Sequence, residues 1–223
     1  MNYSFKSCED YFKFYKNDSL IKVSDKNPLM AINSQHAELI LKDLKKKEVK
    51  TDPFSVLGLS VFASSLDKKQ INEIISIILK DLDFDLLLFR FFDDKKLLKL
   101  MNQKYDPFIK NFNKKFNIKL TLIEDFKKNA NCPSNKNLFK KFMLTLNNFH
   151  LTTFFKLSSI SNSVILSYFF LIKKINVPEF FKLINLENKY QQNIWGYVDE
   201  QKKIDEHSLT TLKKISFFFK NVN

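Results

Sequence analysis

Five side chains in this sequence of 223 residues have the chemistry of soft metal ligands: Cys8, Cys132, His36, His150 and His207. A structural zinc site needs close ligand pairs in register, and these residues are scattered, so their spacing argues against a metal centre. Two cysteines so far apart also give no disulfide framework, which suits a reducing compartment. Carboxylate pairs at Asp83–Asp85 and Asp93–Asp94 carry the chemistry of general acid–base catalysis. Nothing in the sequence places either pair across a pocket, and helix capping or solvated charge is the simpler reading. The run from Ser158 to Ser163 lacks the Gly-x-Ser-x-Gly elbow of a hydrolase. With only Gly58 and Gly196 in the chain, no glycine-rich loop can bring backbone up to a phosphate. The expectation is a protein with no catalytic step, no cofactor and no small-molecule substrate.

The elements that must position these residues belong to an unusual composition. The formal net charge is +13, from 37 basic and 24 acidic residues, and Arg90 is the only arginine. Arginine reads guanine edges and clamps phosphate with two parallel donors, so a specific nucleic-acid reader with one arginine would be exceptional. Lys, Phe, Asn and Ile, all with AT-rich codons, together make up nearly half of the chain, and much of the composition reads as drift in an AT-biased genome. The rival function, a basic helical nucleic-acid-binding module, rests on lysine runs at Lys45 to Lys47, Lys114–Lys115 and Lys127–Lys128 among many aromatics. Those aromatics fall on apolar helix faces, where they serve a core.

Along the chain, Phe12, Phe14, Tyr15, Leu20, Ile21 and Val23 predict short strands or an extended arm. A helix begins at Ser34, with Ala37, Ile40, Leu41 and Leu44 on one face, and Thr51-Asp52-Pro53 breaks it. Phe54 to Ser64 reads as a short inward-packed helix or turn around Gly58. Asp67 and Gln70 form a capping pair for a helix through Leu82. Asp93 or Asp94 caps a short helix to about Gln103, and Asp106-Pro107 starts another carrying Phe108, Ile109, Phe112 and Phe116. Alternation at Ile118, Leu120 and Leu122 predicts a strand. Helices follow at 138–149 and from Ser161 or Ser163. A long helix opens at Pro178 and ends at Trp195-Gly196, and a final one is capped by Ser208. The apolar stretch Phe149 to Ile172 is interrupted by Lys156 and several serines, against a membrane span. The fold class expected is α+β: a small N-terminal part (1–50), in which a reduced β domain is one reading, and a larger helical domain (51–223).

Four local patterns stand in a fixed order: Asp85-Leu86-Leu87-Leu88-Phe89-Arg90, Gln103-x-Tyr105-Asp106-Pro107, the serine-rich start Ser158 to Ser163, and Leu186-Glu187-x-x-Tyr190-Gln191-x-x-x-Trp195-Gly196. Together, over about residues 28 to 220, they resemble the chaperone family (assembly factor 2, or ATP12, type) that assembles the catalytic head of the ATP synthase by holding its alpha subunit. Departures are Tyr105 where the family prefers Trp, Phe89 where it often has Tyr, and Asn162 where it often has Gly. The family's N-terminal β domain carries a Leu-Asp-Gly-Arg-like hairpin whose residues have no match before Asn27, which reads as a shortened or remodelled β domain. The resemblance implies binding of the free alpha subunit of the F(1) ATP synthase, shielding its beta-facing surface until the ring closes. It implies a protein that is monomeric when free. The absence of a transit peptide fits a bacterial cytoplasm, with the mitochondrial matrix as the alternative.

By this resemblance the partner-binding candidates are Glu187, Tyr190 and Gln191, with Asp199 and Glu200 as the second choice for the key acid. Glu187 reads equally as a solvated helix charge, and Tyr190 and Gln191 also read either way. The structural motif residues are Asp85, Arg90, Tyr105, Asp106, Pro107, Trp195 and Gly196. For Arg90 the expected partner is a carboxylate, Asp85 or Asp106. Asp106 is expected as a helix N-cap, and Trp195 as a core residue rather than a contact.

Overall fold

In the computed structural model, residues 2–46, 52–90, 93–124 and 135–223 are described. Strands β1 (Tyr3–Cys8), β2 (Tyr11–Lys16), β3 (Ser19–Leu20) and β4 (Met30–Ala31) come first. Helices α1 (Ser34–Leu44), α2 (Val56–Ser65), α3 (Lys68–Asp81), α4 (Lys95–Phe116), α5 (Asn137–Leu144), α6 (Asn148–Ser161), α7 (Val164–Leu171), α8 (Val177–Ile184), α9 (Leu186–Trp195) and α10 (Asp199–Asn221) follow. Two 3-10 turns, Leu82–Phe84 and Leu86–Leu88, join α3 towards α4. The fold is α+β and mostly helical, with a small N-terminal antiparallel sheet, as the sequence predicts. It divides into two compact units, one of residues 1–72, 146–153 and 213–223, the other of residues 73–145 and 154–212.

In the first unit, the short strands pair because their turns suit the sheet's twist. β1 and β2 pair antiparallel from Tyr3 opposite Lys16 to Cys8 opposite Tyr11, leaving a two-residue loop with Glu9 at φ 51°. Asn17 and Asp18, at φ 46° and 65°, close the β2–β3 hairpin with the left-handed pair that a tight two-residue turn demands. β4 pairs with β2 at Phe12 and Lys13. Helix α1 is capped by Asn33, whose Oδ1 accepts from His36 N at 2.8 Å while its amide donates to Asn221 O at 2.9 Å. His36 is fully buried, edge-on to Phe149 and Phe218. Its Nδ1 accepts from Ile32 N at 3.3 Å, which leaves Nε2 to donate to Ser60 Oγ at 2.8 Å; that hydroxyl donates to Val56 O. Both ring nitrogens of His36 and the Ser60 hydroxyl are thereby satisfied, and burial holds the imidazole neutral, with its pKa lowered to about 4. Ser55 caps α2, and Gly58 sits where a Cβ would lie 2.4 Å from Asp52 O.

The second unit has an aromatic core. Phe112 and Phe116 of α4 meet Phe139 of α5 at 5.0 and 4.9 Å and Tyr168 of α7 at 5.5 and 4.9 Å, mostly edge-to-face. Phe154 of α6 closes on Phe139 at 6.0 Å. Such pairs add about 0.5–1.5 kcal/mol each beyond area burial. Phe112, Phe116, Phe139 and Phe154 are therefore core residues.

Several boundaries differ from those the sequence predicts. Asp106-Pro107 starts no helix: α4 is capped by Asp94, which accepts from Lys96 N and Leu97 N, and it runs through Pro107 to Phe116. An interior proline costs about 3 kcal/mol, but Leu97, Met101, Tyr105, Ile109, Phe112 and Phe116 bury one continuous stripe, and that burial outweighs it. Residues 118–122 form no strand. Asn113 bonds Leu120 N and O with its side chain, and only Ile123 makes a single bridge, to Phe89. The helix from Pro178 breaks at Asn185 (φ −106°, ψ 17°), giving α8 and α9. Ser208 lies inside α10, which begins at Asp199. Capping by Asp67 and Gln70 is reciprocal, at 2.8 and 3.0 Å. Lys47, Thr51, Phe91, Phe92, Lys127, Lys128 and Cys132 lie outside the described residues.

Candidate functional site

Asp85 joins two of the four ordered motifs, its own and the serine-rich start of α7. It is fully buried and accepts three bonds at 2.9 Å: from Leu87 N, from Ser163 Oγ and from Ile165 N. One carboxylate thus caps the 3-10 turn after it and the start of α7, where orphan N–H groups need acceptors. Burial raises its pKa to about 6, against the pull of those three bonds and the Val164 N–H. Ser163 shares the capping, accepting from Leu166 N at 3.1 Å. The turn before it needs a left-handed residue, and Asn162 supplies one at φ 52° while its carbonyl accepts from Leu86 N at 2.8 Å. This explains how Asn stands where the resembled family often has Gly: Asn is among the few residues that tolerate that conformation.

Arg90 is 6% exposed. Its Nη1 donates to Leu87 O (2.6 Å) and Phe89 O (2.8 Å), its Nε to Asn102 Oδ1 (2.8 Å), and its Nη2 to Asp106 Oδ1 (3.0 Å). The guanidinium carbon also sits 5.5 Å from the Tyr105 ring centre. Four acceptors in different directions explain why the one arginine stands here: a lysine ammonium presents only three donors from one point. Tyr105 is buried and donates to Leu183 O at 2.8 Å, tying α4 to the last turn of α8; burial pushes its phenol well above the usual range. Pro107 lies one residue beyond Asp106, inside α4.

Helix α9 presents the partner-binding candidates. Glu187, in its first turn, accepts from Gln191 Nε2 at 3.0 Å, and burial raises its carboxyl above the usual range, partly offset by that bond. It lines a cleft of about 290 Å³ with Leu86, Met101, Tyr105, the Ser161–Asn162 turn, Asn185, Asn188 and Ser208. Tyr190 donates to Asp94 Oδ2 at 2.8 Å, joining α9 to the cap of α4. Asp199 and Glu200 are exposed in the first turn of α10, well placed to complement its dipole. The cleft brings Glu187 beside Tyr105 and the Asp85 motif's Leu86, and does not include Asp199 or Glu200.

Trp195 is a correction. It is 84% exposed, at the end of α9, with Ile194 (54%), Tyr197 (48%), Val198 (66%) and Ile204 (57%) exposed around the same elbow. Gly196 (φ 90°, ψ 169°) turns the chain out of the helix, and Leu186, at the other end of α9, is the residue that the helix buries. Helical spacing alone cannot separate a core aromatic from an exposed one in the last turn. The available signal was local: four large apolar residues within five positions around a glycine, where a solvated turn should be polar. Tyr197 is anchored by its hydroxyl to Asp205 Oδ2 at 2.8 Å, which orders the elbow.

Among the described residues no group of three or more His, Cys, Asp or Glu side chains could hold a metal ion, and no helix is long and apolar enough to cross a membrane.

No family model matches the sequence, and no characterised protein matches it at sequence level. Solved structures do match in fold. Atp12 from Paracoccus denitrificans superposes with a TM-score of 0.84 at 16% identity, over 100% of this chain and 97% of that one. A single-substitution mutant of the same protein gives 0.84 and 16%, over 100% and 96%. A protein from Agrobacterium tumefaciens described as a candidate chaperone gives 0.82 and 16%, over 100% and 84%. The chain shares their fold from end to end.

Proposed function

We propose that this protein is an assembly chaperone that binds the free alpha subunit of the F(1) ATP synthase and covers its beta-facing surface until the hexameric head forms. The observation that carries this reading is the exposed apolar elbow at Ile194, Trp195, Tyr197 and Val198 on a chain with the fold of Atp12. An unassembled ring subunit presents a large apolar interface that aggregates unless covered. A protein that covers it needs an apolar surface of its own, rimmed by polar groups. Trp195 is suited to anchor such a contact, since tryptophan dominates binding energy where it becomes buried. Gln191, Asp199 and Glu200 supply the polar rim, and Tyr190 and Asp94 hold the supporting helix in place. Release requires no chemistry: the beta subunit displaces the chaperone if the final interface is stronger. The ordered patterns at Asp85, Tyr105, Ser163 and Glu187 support the same reading, because they build the scaffold under α9.

The test is co-expression with the alpha subunit of the same organism. Soluble alpha subunit co-eluting with this chain supports the function; alpha subunit equally insoluble with and without it overturns the function. The rival reading as a nucleic-acid binder is separated by titration with DNA or RNA across salt concentrations, since counterion release would make such binding fall steeply.

A further inference from the structure

Glu187 combines a half-buried carboxylate with no counter-ion. Its one hydrogen bond is from Gln191, and among the described residues no lysine or arginine forms an ion pair with it. A carboxylate partly removed from water without a cation carries a desolvation cost that an incoming positive group would offset.

The cleft beside it fits such a group. At about 290 Å³ it lies at the small end of ligand pockets, room for one long side chain rather than a cofactor. Asn185 donates its amide N–H to Phe181 O, leaving its amide oxygen as an acceptor, and Asn188 adds a second amide on the same wall. One carboxylate and neighbouring amide oxygens suit a planar guanidinium, whose fork of donors serves several acceptors at once, better than a compact ammonium. Position matters too. Glu187, Gln191 and Ile194 follow the four-then-three spacing of one face of α9, the helix that leads to the elbow. A protein seated on Trp195 reaches the cleft within about 12 Å, eight residues of helix.

We propose that this cleft receives an arginine side chain of the bound protein, with Glu187 as its ion-pair partner. The inference rests on the reading of the chain as a subunit-binding chaperone.

The experiment uses the full chain and its Glu187→Gln variant, which keeps side-chain size and removes charge. Each is titrated with methylguanidinium chloride, and with methylammonium chloride at equal ionic strength, following backbone amide signals by NMR. Saturable shifts at Asn162, Asn185 and Asn188 in the millimolar range are expected for methylguanidinium with the natural chain. They should weaken at least about fivefold in Glu187→Gln and in methylammonium. No saturable shift, equal shifts in both proteins, or equal response to both cations overturns the inference. In parallel, affinity for the alpha subunit is expected to fall about tenfold or more in Glu187→Gln. Unchanged affinity overturns the arginine contact while leaving the chaperone function standing. If the natural chain does not bind the alpha subunit at all, the proposed function falls, and the methylguanidinium titration alone decides the cleft.

Discussion

Arg90 and Asp106 meet at 3.0 Å across sixteen residues, and the pair is lopsided: the guanidinium side chain is 3% exposed, the carboxylate 51%. Water screens the carboxylate, so the ion pair itself contributes little. The arginine's other acceptors, two backbone carbonyls and Asn102, carry the larger share. Arg90→Lys should therefore destabilise the chain by about 2–4 kcal/mol, because buried carbonyls lose their donor. Asp106→Asn should cost less than about 1 kcal/mol. Urea unfolding of the two variants checks the order; equal losses would contradict it.

Falling pH should cost stability at His36. Its folded pKa, about 4, lies below the ordinary value of 6.5, so the neutral form is favoured in the native state. The stability it contributes is complete above about pH 6.5 and is lost as pH falls towards 4, when the unfolded chain takes up a proton that the core refuses. The loss over that window is on the order of 3 kcal/mol. His36→Gln should be less stable at pH 7 yet lack this part of the slope. Parallel pH profiles for the two proteins would show that His36 is not responsible.

At Asn162 the backbone sets the ranking of substitutions. Its φ of 52° suits Gly and Asn and penalises a branched side chain. Asn162→Gly should stay within about 0.5 kcal/mol of the natural chain, whereas Asn162→Val should lose about 1–2 kcal/mol. Thermal unfolding gives both values.

Trp195→Ala separates scaffold from surface. An 84% exposed side chain has little folding energy to lose, so stability should hold within about 0.5 kcal/mol. Affinity for the alpha subunit should drop about thirtyfold or more, as for a hot-spot tryptophan. Calorimetry on one sample and pull-down titration on the other check both halves. A variant that binds normally would remove the elbow from the interface.

Much of this fold was legible where the signal was local and repeated. The stripe of α3, the Asp67–Gln70 box and the strand alternation at Phe12 and Phe14 each state their structure within a few residues. Asp106-Pro107 misled because local chemistry favours a helix start there, while the decisive force, burial of Tyr105 and Ile109 on one stripe, acts through distant partners. Ile118 to Leu122 alternates like a strand, but strand pairing needs a neighbour, and Asn113 satisfies that backbone instead. The long-range bonds of Asp85 to Ser163 and Ile165, some eighty residues on, leave no periodic trace. At the candidate site, Glu187 was visible as an acid on a helix. Its cleft was not, since four further segments of chain build the walls.

The two glycines stand where the backbone leaves other residues no room. Other left-handed positions are held by residues that are not glycine: Asn17, Asn117 and Asn162, and even Lys173. Gly58 is fixed because any side chain would strike the carbonyl of Asp52, and Gly196 because φ 90° with ψ 169° lies outside the basin asparagine can occupy. A sequence can therefore wander far from its structural relatives, to 16% identity, while geometry vetoes change at a handful of sites. Each glycine of this chain marks a constraint of the backbone itself.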